Sequence, residues 1–245
     1  MAESLLEAEG LAKRYGGLVA NNGVNLRLAP GEIRGLIGPN GAGKTTFVNL
    51  LTGIEKADAG RISFDGVELA GLPPHRIAAQ GLVRSFQVAR IFDSLSVRDN
   101  LLLPFLAAGS PGGLGAGRAR LAELLALANL EPLAGEAAGV LSGGQRMLLQ
   151  ACAGFMLPNL RLSVLDEPFA GINPVLKDTL IDLIARERSR SGCAFLIVSH
   201  EMEIVRRLCP IVTVMIAGAV AAEGRLEEVA GRPEVIAAYL GRTQP

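Results

Sequence analysis

Gly38, Gly43, Lys44 and Thr45 fall in the spacing G-x-x-x-x-G-K-[ST], inside the stretch GLIGPNGAGKTTFVNLLTGI that runs from Gly35 to Ile54. Five of its first ten residues are glycine or proline, after which Phe47, Leu50, Leu51 and Ile54 recur at helical spacing. A loop with few side chains before a helix lets successive backbone N–H groups wrap an anion, and the helix dipole adds to the attraction. The segment Gly38, Pro39, Asn40, Gly41, Ala42, Gly43, Lys44, Thr45 and Thr46 is therefore read as a phosphate cradle. Lys44 is expected to reach the β- and γ-phosphates of a nucleotide, and the Thr45 hydroxyl to ligate Mg²⁺. Such a complex also needs a carboxylate near the metal. LSVLDEP supplies Asp166 and Glu167 side by side, where Asp166 can hold metal-bound water and Glu167 can act as general base on the attacking water.

These groups need strand ends and helix starts to hold them. Strand-like runs at Glu32 to Ile37, Leu160 to Leu165 and Ala194 to Ser199 each precede a helical pattern, the signature of an α/β domain with a largely parallel sheet. Asn173 and Pro174 read as an N-cap and first-turn pair, and Leu176, Leu180, Leu183 and Ile184 form an apolar stripe ending in an Arg-rich turn before Gly192. From about residue 90 to 158 strand signals vanish. That stretch is read as an inserted helical subdomain, with AAGSPGGLGAGRA, Ala107 to Ala119, as its flexible loop.

The 245 residues are 49% apolar, with 24 basic and 24 acidic side chains. That balance leaves no net field to favour nucleic acid, so a bound anion must be held by local geometry. Cys152, Cys193 and Cys209 lack the spacing of zinc ligands or a redox pair and read as small buried hydrophobes. MAESLLEAEG has neither a basic nor an apolar leader region. Leu208 to Ala222 is too short to span a bilayer, and with Pro210 and Gly218 inside it reads as a hairpin turning near Ala217 and Gly218. A cytosolic protein is expected. His75, after two prolines, reads as a solvated turn residue.

LSGGQ, Leu141 to Gln145, is a second glycine-rich helix start. With GPNGAGKTT, Gln87 in VRSFQ, LSVLDEP and His200 in IVSHE, in that order, the chain resembles the ATP-binding-cassette ATPases over essentially its whole length. The resemblance implies a RecA-like phosphate-loop core with an antiparallel β subdomain and an inserted α-helical subdomain. The core is placed at 1–89 and 159–245, and the helical part at 90–158. It implies ATP and Mg²⁺ as cofactors, Tyr15 as the adenine-stacking residue, and Ser142, Gly143, Gly144 and Gln145 as groups that cap a γ-phosphate bound to another subunit. It further implies that Gln87 senses Mg²⁺ and the attacking water, that His200 bonds the γ-phosphate and orients Glu167, and that Asn173 lies in the loop crossing to the partner.

Finer resemblance, in RYGGLVANNGVNL, GLVRSFQVARIFDSLSVRDNLLL, EPFAGINP and EGRLEEVAGRPEVIAAYLG, points to the ATPase subunits of bacterial branched-chain amino acid importers. Relatives that move urea or amides share these segments. The implied partners are a second ATPase subunit, membrane-spanning permease subunits and, indirectly, a solute-binding protein, with the chain peripheral on the cytoplasmic face of the inner membrane. Phe86, Ile91, Phe92 and Leu95 are expected to meet a coupling helix of the permease. After LSGGQ the helix reads RMLLQACAGFM, with Met147, Leu149 and Cys152 where relatives commonly carry polar or basic groups, which raises the question of how it is anchored.

Overall fold

The computed structural model describes residues 4–240; the first three residues of the MAESLLEAEG reading and the last of the EGRLEEVAGRPEVIAAYLG segment lie outside them. In chain order the elements are β1 (Leu6–Tyr15), β2 (Leu18–Leu28), β3 (Ile33–Ile37), α1 (Lys44–Leu51), β4 (Ala59–Phe64), β5 (Val67–Glu68), α2 (Pro74–Ala79) and β6 (Leu82–Arg84). There follow α3 (Val97–Ala107), α4 (Gly113–Leu127), α5 (Gly143–Phe155), β7 (Leu162–Asp166), α6 (Pro174–Ser191) and β8 (Ala194–Val198). The chain closes with α7 (Met202–Leu208), β9 (Ile211–Ile216), β10 (Ala219–Gly224), α8 (Leu226–Ala230) and α9 (Pro233–Leu240).

Two compact units divide the chain, one of residues up to Ala78 together with those from Ala194 onward, the other Ala79–Cys193. In the first unit β2, β1, β4 and β5 form an antiparallel sheet. Leu6 faces Leu28 on one side and Phe64 on the other, and all three side chains are wholly buried. Beside this antiparallel layer stands a parallel one. β3 pairs in parallel with β8 and with β9, and every residue of β3 and β8 is buried, which is why both runs are apolar without alternation. β9 and β10 form the expected hairpin, with Ala217 and Gly218 both at positive φ (48° and 81°) in its turn, the twist a two-residue hairpin turn demands.

The second unit packs helices with a short parallel pair, β6 and β7, in which Arg84 lies opposite Val164. Asn173 caps α6 by accepting the Leu176 N–H at 3.0 Å, and Gly192 ends it in the left-handed conformation. The buried stripe includes Leu180, Ile181, Leu183, Ile184 and also Glu187. That carboxylate is compensated by Arg190 at 2.7 Å and by Arg120 of α4, as a buried charge requires. His75 is exposed, though on α2 and not in a turn.

The glycine-rich stretch departs from expectation. α4 begins at Gly113, inside the predicted flexible loop. A Cβ on Gly117 would lie 2.5 Å from the Phe105 ring, so the missing side chain lets α4 pack closely on α3. Packing has overridden glycine's poor helix propensity.

Gly117→Leu should therefore overpack this contact, destabilising the chain by about 1–3 kcal/mol and lowering the melting midpoint by roughly 2–4 °C per kcal/mol. The cysteines are all buried, and none forms a disulfide among the described residues. Burial pushes each thiol up to about 12, so the unreactive protonated form persists through neutral and mildly alkaline pH. Iodoacetamide at about pH 8, well below those values, should leave the native chain unmodified by intact mass, whereas the three cysteines should all be alkylated in denaturant.

Candidate functional site

In the first unit the glycine loop links β3 to α1. It is pressed against strands distant in sequence: a Cβ on Gly38 would lie 2.2 Å from the Met215 carbonyl oxygen, and one on Gly43 2.3 Å from that of Ala20. Gly43 also has φ of 95°, which side-chain-bearing residues avoid. Asn21, fully buried, donates to the Gly43 carbonyl at 3.1 Å, and the Gly218 N–H donates to that of Ala42 at 3.0 Å. Lys44 folds over the loop, its Nζ donating to Gly38 at 2.6 Å and Pro39 at 3.1 Å. The first turn of α1 has neither a side-chain cap nor an acidic residue. Such a helix start, with an ammonium ion over it and space that no Cβ fills, suits a phosphate group.

His200 follows Ser199 at the end of β8 and is exposed. Because Leu36 lies opposite Val198, the loop and His200 leave one edge of the sheet on neighbouring strands. Tyr15 ends β1, 45% exposed, with the Lys13 ammonium 5.6 Å from its ring centre. Its hydroxyl bonds to Glu55, which also accepts from Asn49 at 2.6 Å. Tyr239 of α9 hydrogen-bonds the Gly38 main chain; burial raises its hydroxyl pKa and that bond opposes the rise.

In the second unit β6 and β7 run parallel, so Gln87 and the Asp166–Glu167 pair leave the same edge. Asp166 ends β7, and its Oδ2 accepts from Arg84 Nη2 at 2.6 Å, both side chains almost wholly buried. The Asp166 N–H also donates to Ser85 Oγ at 3.3 Å. Glu167 has φ of 50°, a sparsely populated conformation for a non-glycine residue that persists where surrounding structure enforces it. Gln87 is exposed. Among the described residues no group of three or more His, Cys, Asp and Glu could hold a metal. Within the second unit a glutamine amide and an aspartate carboxylate, both oxygen donors, are of the kind a hard Mg²⁺ takes alongside waters and phosphate oxygens.

The LSGGQ turn caps α5 reciprocally, with Ser142 Oγ accepting the Gln145 N–H at 3.3 Å and Gln145 Oε1 accepting the Ser142 N–H at 2.9 Å. Its glycines differ in purpose. A Cβ on Gly144 would meet Leu176 of α6 at 2.5 Å, whereas one on Gly143 would meet nothing within 4 Å. Gly144 thus serves helix packing, and Gly143 leaves the exposed helix start open to an approaching anion. Met147, Leu148, Leu149, Cys152 and Phe155 are buried. The apolar character of RMLLQACAGFM is therefore what anchors α5 in its own unit.

A family profile described as ABC transporter matches residues 21–170, which holds the loop, the LSGGQ turn and the acidic pair. The chain belongs to the ABC transporter family. It is an ATPase of the cassette type, with the α/β fold expected. It is 40% identical to the high-affinity branched-chain amino acid transport ATP-binding protein BraF of Pseudomonas aeruginosa, over 98% of this chain and 99% of that one. It is 39% identical to LivG of Escherichia coli strain K12, with the same coverage, and 36% to a probable LivG of Archaeoglobus fulgidus, over 97% and 95%. Among solved structures, a nucleotide-free ATP-binding cassette superposes with a TM-score of 0.84 at 30% identity, covering 98% of this chain and 100% of its own. The ADP conformation of the cassette MJ1267 gives 0.83 at 32%, covering 98% and 99%.

Sequence reasoning missed Asn21, Glu55, Arg84 and Tyr239, because each acts on a residue remote in the chain. Arg84 alone carried a signal, a cation three residues before Gln87.

Gly43→Ala should force the loop off the β2 backbone and weaken binding of a fluorescent ATP analogue by about ten-fold or more, the equivalent of 1–2 kcal/mol of backbone strain. Unchanged affinity would show that the cradle does not depend on this close approach.

Proposed function

We propose that this chain is the ATP-hydrolysing subunit of an importer for branched-chain amino acids. The observation that supports this most is the end-to-end match, at 36–40% identity, to proteins named as branched-chain amino acid transport ATP-binding subunits. No helix among the described residues is long and apolar enough to cross a membrane. In the proposed assembly the chain works with membrane-spanning permease subunits, peripherally on the cytoplasmic face, beside a second ATPase subunit that is a copy of itself or a close relative.

Each group in the site has a role that its position supports. Main-chain N–H groups between Gly38 and Thr46, of which Pro39 has none, and the Lys44 ammonium bind the phosphates, while Tyr15, held by Glu55, offers its exposed ring to the adenine. Thr45, Gln87 and Asp166 would hold Mg²⁺, which when bound neutralises charge on the phosphate oxygens. Arg84 orients Asp166 through their buried ion pair. Glu167, fixed at the end of β7 by its unusual backbone, takes the proton of the attacking water, and His200 donates to the γ-phosphate. Ser142, Gly143, Gly144 and Gln145 form a helix start that stabilises the γ-phosphate bound by the partner subunit. Charge stabilisation of that kind is worth roughly 2.7–4 kcal/mol per donor.

Glu167→Gln should bind ATP as the wild type does, lose turnover by roughly 10²- to 10⁴-fold, and accumulate as an ATP-bound dimer on size-exclusion chromatography. Near-normal turnover would remove Glu167 from the role of base. The solute is tested by reconstituting the chain with its co-purifying permease. ATP-dependent uptake of labelled leucine, isoleucine or valine is expected, and uptake of urea or an amide instead would overturn the solute class.

A further inference from the structure

The segment Phe86–Ser96, which carries Gln87, contains neither helix nor strand. It exposes Val88 and Phe92, at 80% and 62%, yet its main chain is pinned at specific points. Gln150, a buried residue of α5, spans the turn around Gln87: its Nε2 donates to the Phe86 carbonyl at 2.9 Å, and its Oε1 accepts the Arg90 N–H at 2.9 Å. The Arg90 guanidinium lies 4.0 Å from the centre of the Phe86 ring, a second link across the same turn. One helical turn earlier on that face of α5, Arg146 pairs with Asp93 at 2.8 Å and donates to the carbonyls of Gly139 at 2.6 Å and Leu141 at 3.1 Å. Those carbonyls belong to the chain leading into Ser142. The far end of the segment is tied to α3, where Asn100 accepts the Phe92 N–H at 2.8 Å and donates to the carbonyls of Phe92 and Ser96 at 3.0 Å each.

The helix that begins with the LSGGQ turn thus grips the chain on both sides of Gln87. A primary amide suits this position because it supplies one donor and one acceptor in one plane, matching a carbonyl and an N–H four residues apart. Both bonds are partly shielded from solvent and start from a buried side chain, so losing either weakens the hold on a main-chain group at that point.

We infer that Gln150 is a positioning residue that fixes the main chain on both sides of Gln87 to the helix beginning with the LSGGQ turn, so that Gln87 holds its place only while both bonds hold. The inference rests on the reading of Gln87 as the residue that faces Mg²⁺ and the attacking water. Both groups of the Gln150 amide bond main chain, so its effect passes through the backbone it holds.

The test compares wild type with Gln150→Leu, which keeps the side chain's bulk and removes both bonds, and with Gln150→Glu, which keeps only the acceptor for Arg90. Hydrogen exchange is followed in peptides covering residues 86–92, beside kcat and KM for ATP. In Gln150→Leu, exchange at the Arg90 amide should accelerate by about ten-fold or more, with kcat falling about ten-fold and KM holding within about two-fold, as expected when an interaction made only in the transition state is lost. Gln150→Glu should fall between the two. Unchanged exchange, or accelerated exchange with unchanged kcat, overturns the inference. Should Gln150→Leu fail to fold, Gln150→Glu and Arg146→Gln are measured in the same way, and the same two outcomes overturn the inference. A wild-type turnover indifferent to Gln87→Ala would overturn the reading of Gln87 instead, and the exchange data would still decide whether Gln150 clamps the turn.

Discussion

Amides can line an anion only where main chains come closer together than a Cβ permits, and the phosphate loop is built on that constraint. Gly38 is pressed against β9 and Gly43 against β2, while Asn21 and Gly218 bond the carbonyls of Gly43 and Ala42. The loop is therefore not flexible, although its composition is that of a flexible segment. Its shape is imposed by strands that precede and follow it by tens of residues. What remains for a ligand is the set of N–H groups pointing away from those strands, at a helix start without a capping side chain. Preorganisation of this kind lowers the entropy that binding would otherwise consume.

The second unit handles charge by a different device. Asp166 sits in a buried setting where an unpaired carboxylate would be costly, and Arg84 compensates it from the neighbouring strand. Beside it Glu167 is held in a backbone conformation that a side-chain-bearing residue rarely adopts. The two carboxylates therefore differ although they are adjacent: one ends β7 in a buried ion pair, and the other follows it at positive φ. The same economy marks the LSGGQ turn, where Gly144 brings α5 against α6 and Gly143 leaves its surface clear. Through Arg146 and Gln150, α5 then reaches the chain around Gln87.

Much of this was legible from local pattern. The spacing of Gly38, Gly43, Lys44 and Thr45 located the loop between a strand and a helix, Asn173 and Gly192 marked the ends of α6, and Ala217–Gly218 marked the hairpin, because caps and turns are decided by a few adjacent residues. Ala107 to Ala119 misled, since α4 is held by packing, with Gly117, Leu121, Leu124 and Leu125 buried, and its glycine-rich start has poor propensity of its own. The roles of Asn21, Glu55 and Gln150 left no trace in composition, as an amide or carboxylate is equally at home on a solvated face.

By itself, then, the sequence determined the elements that local pattern marks, such as β3, β8, α6 and the Ala217–Gly218 hairpin, since these follow from nearest neighbours and from side-chain chemistry. Only the tertiary structure decided which carbonyl presses on which glycine, which cation compensates Asp166, and which helix holds Gln87. Those are pairings between residues far apart in the chain, as Gly38 and Met215 are, and long-range contacts of that kind are fixed only when the chain closes its loops and the cores pack.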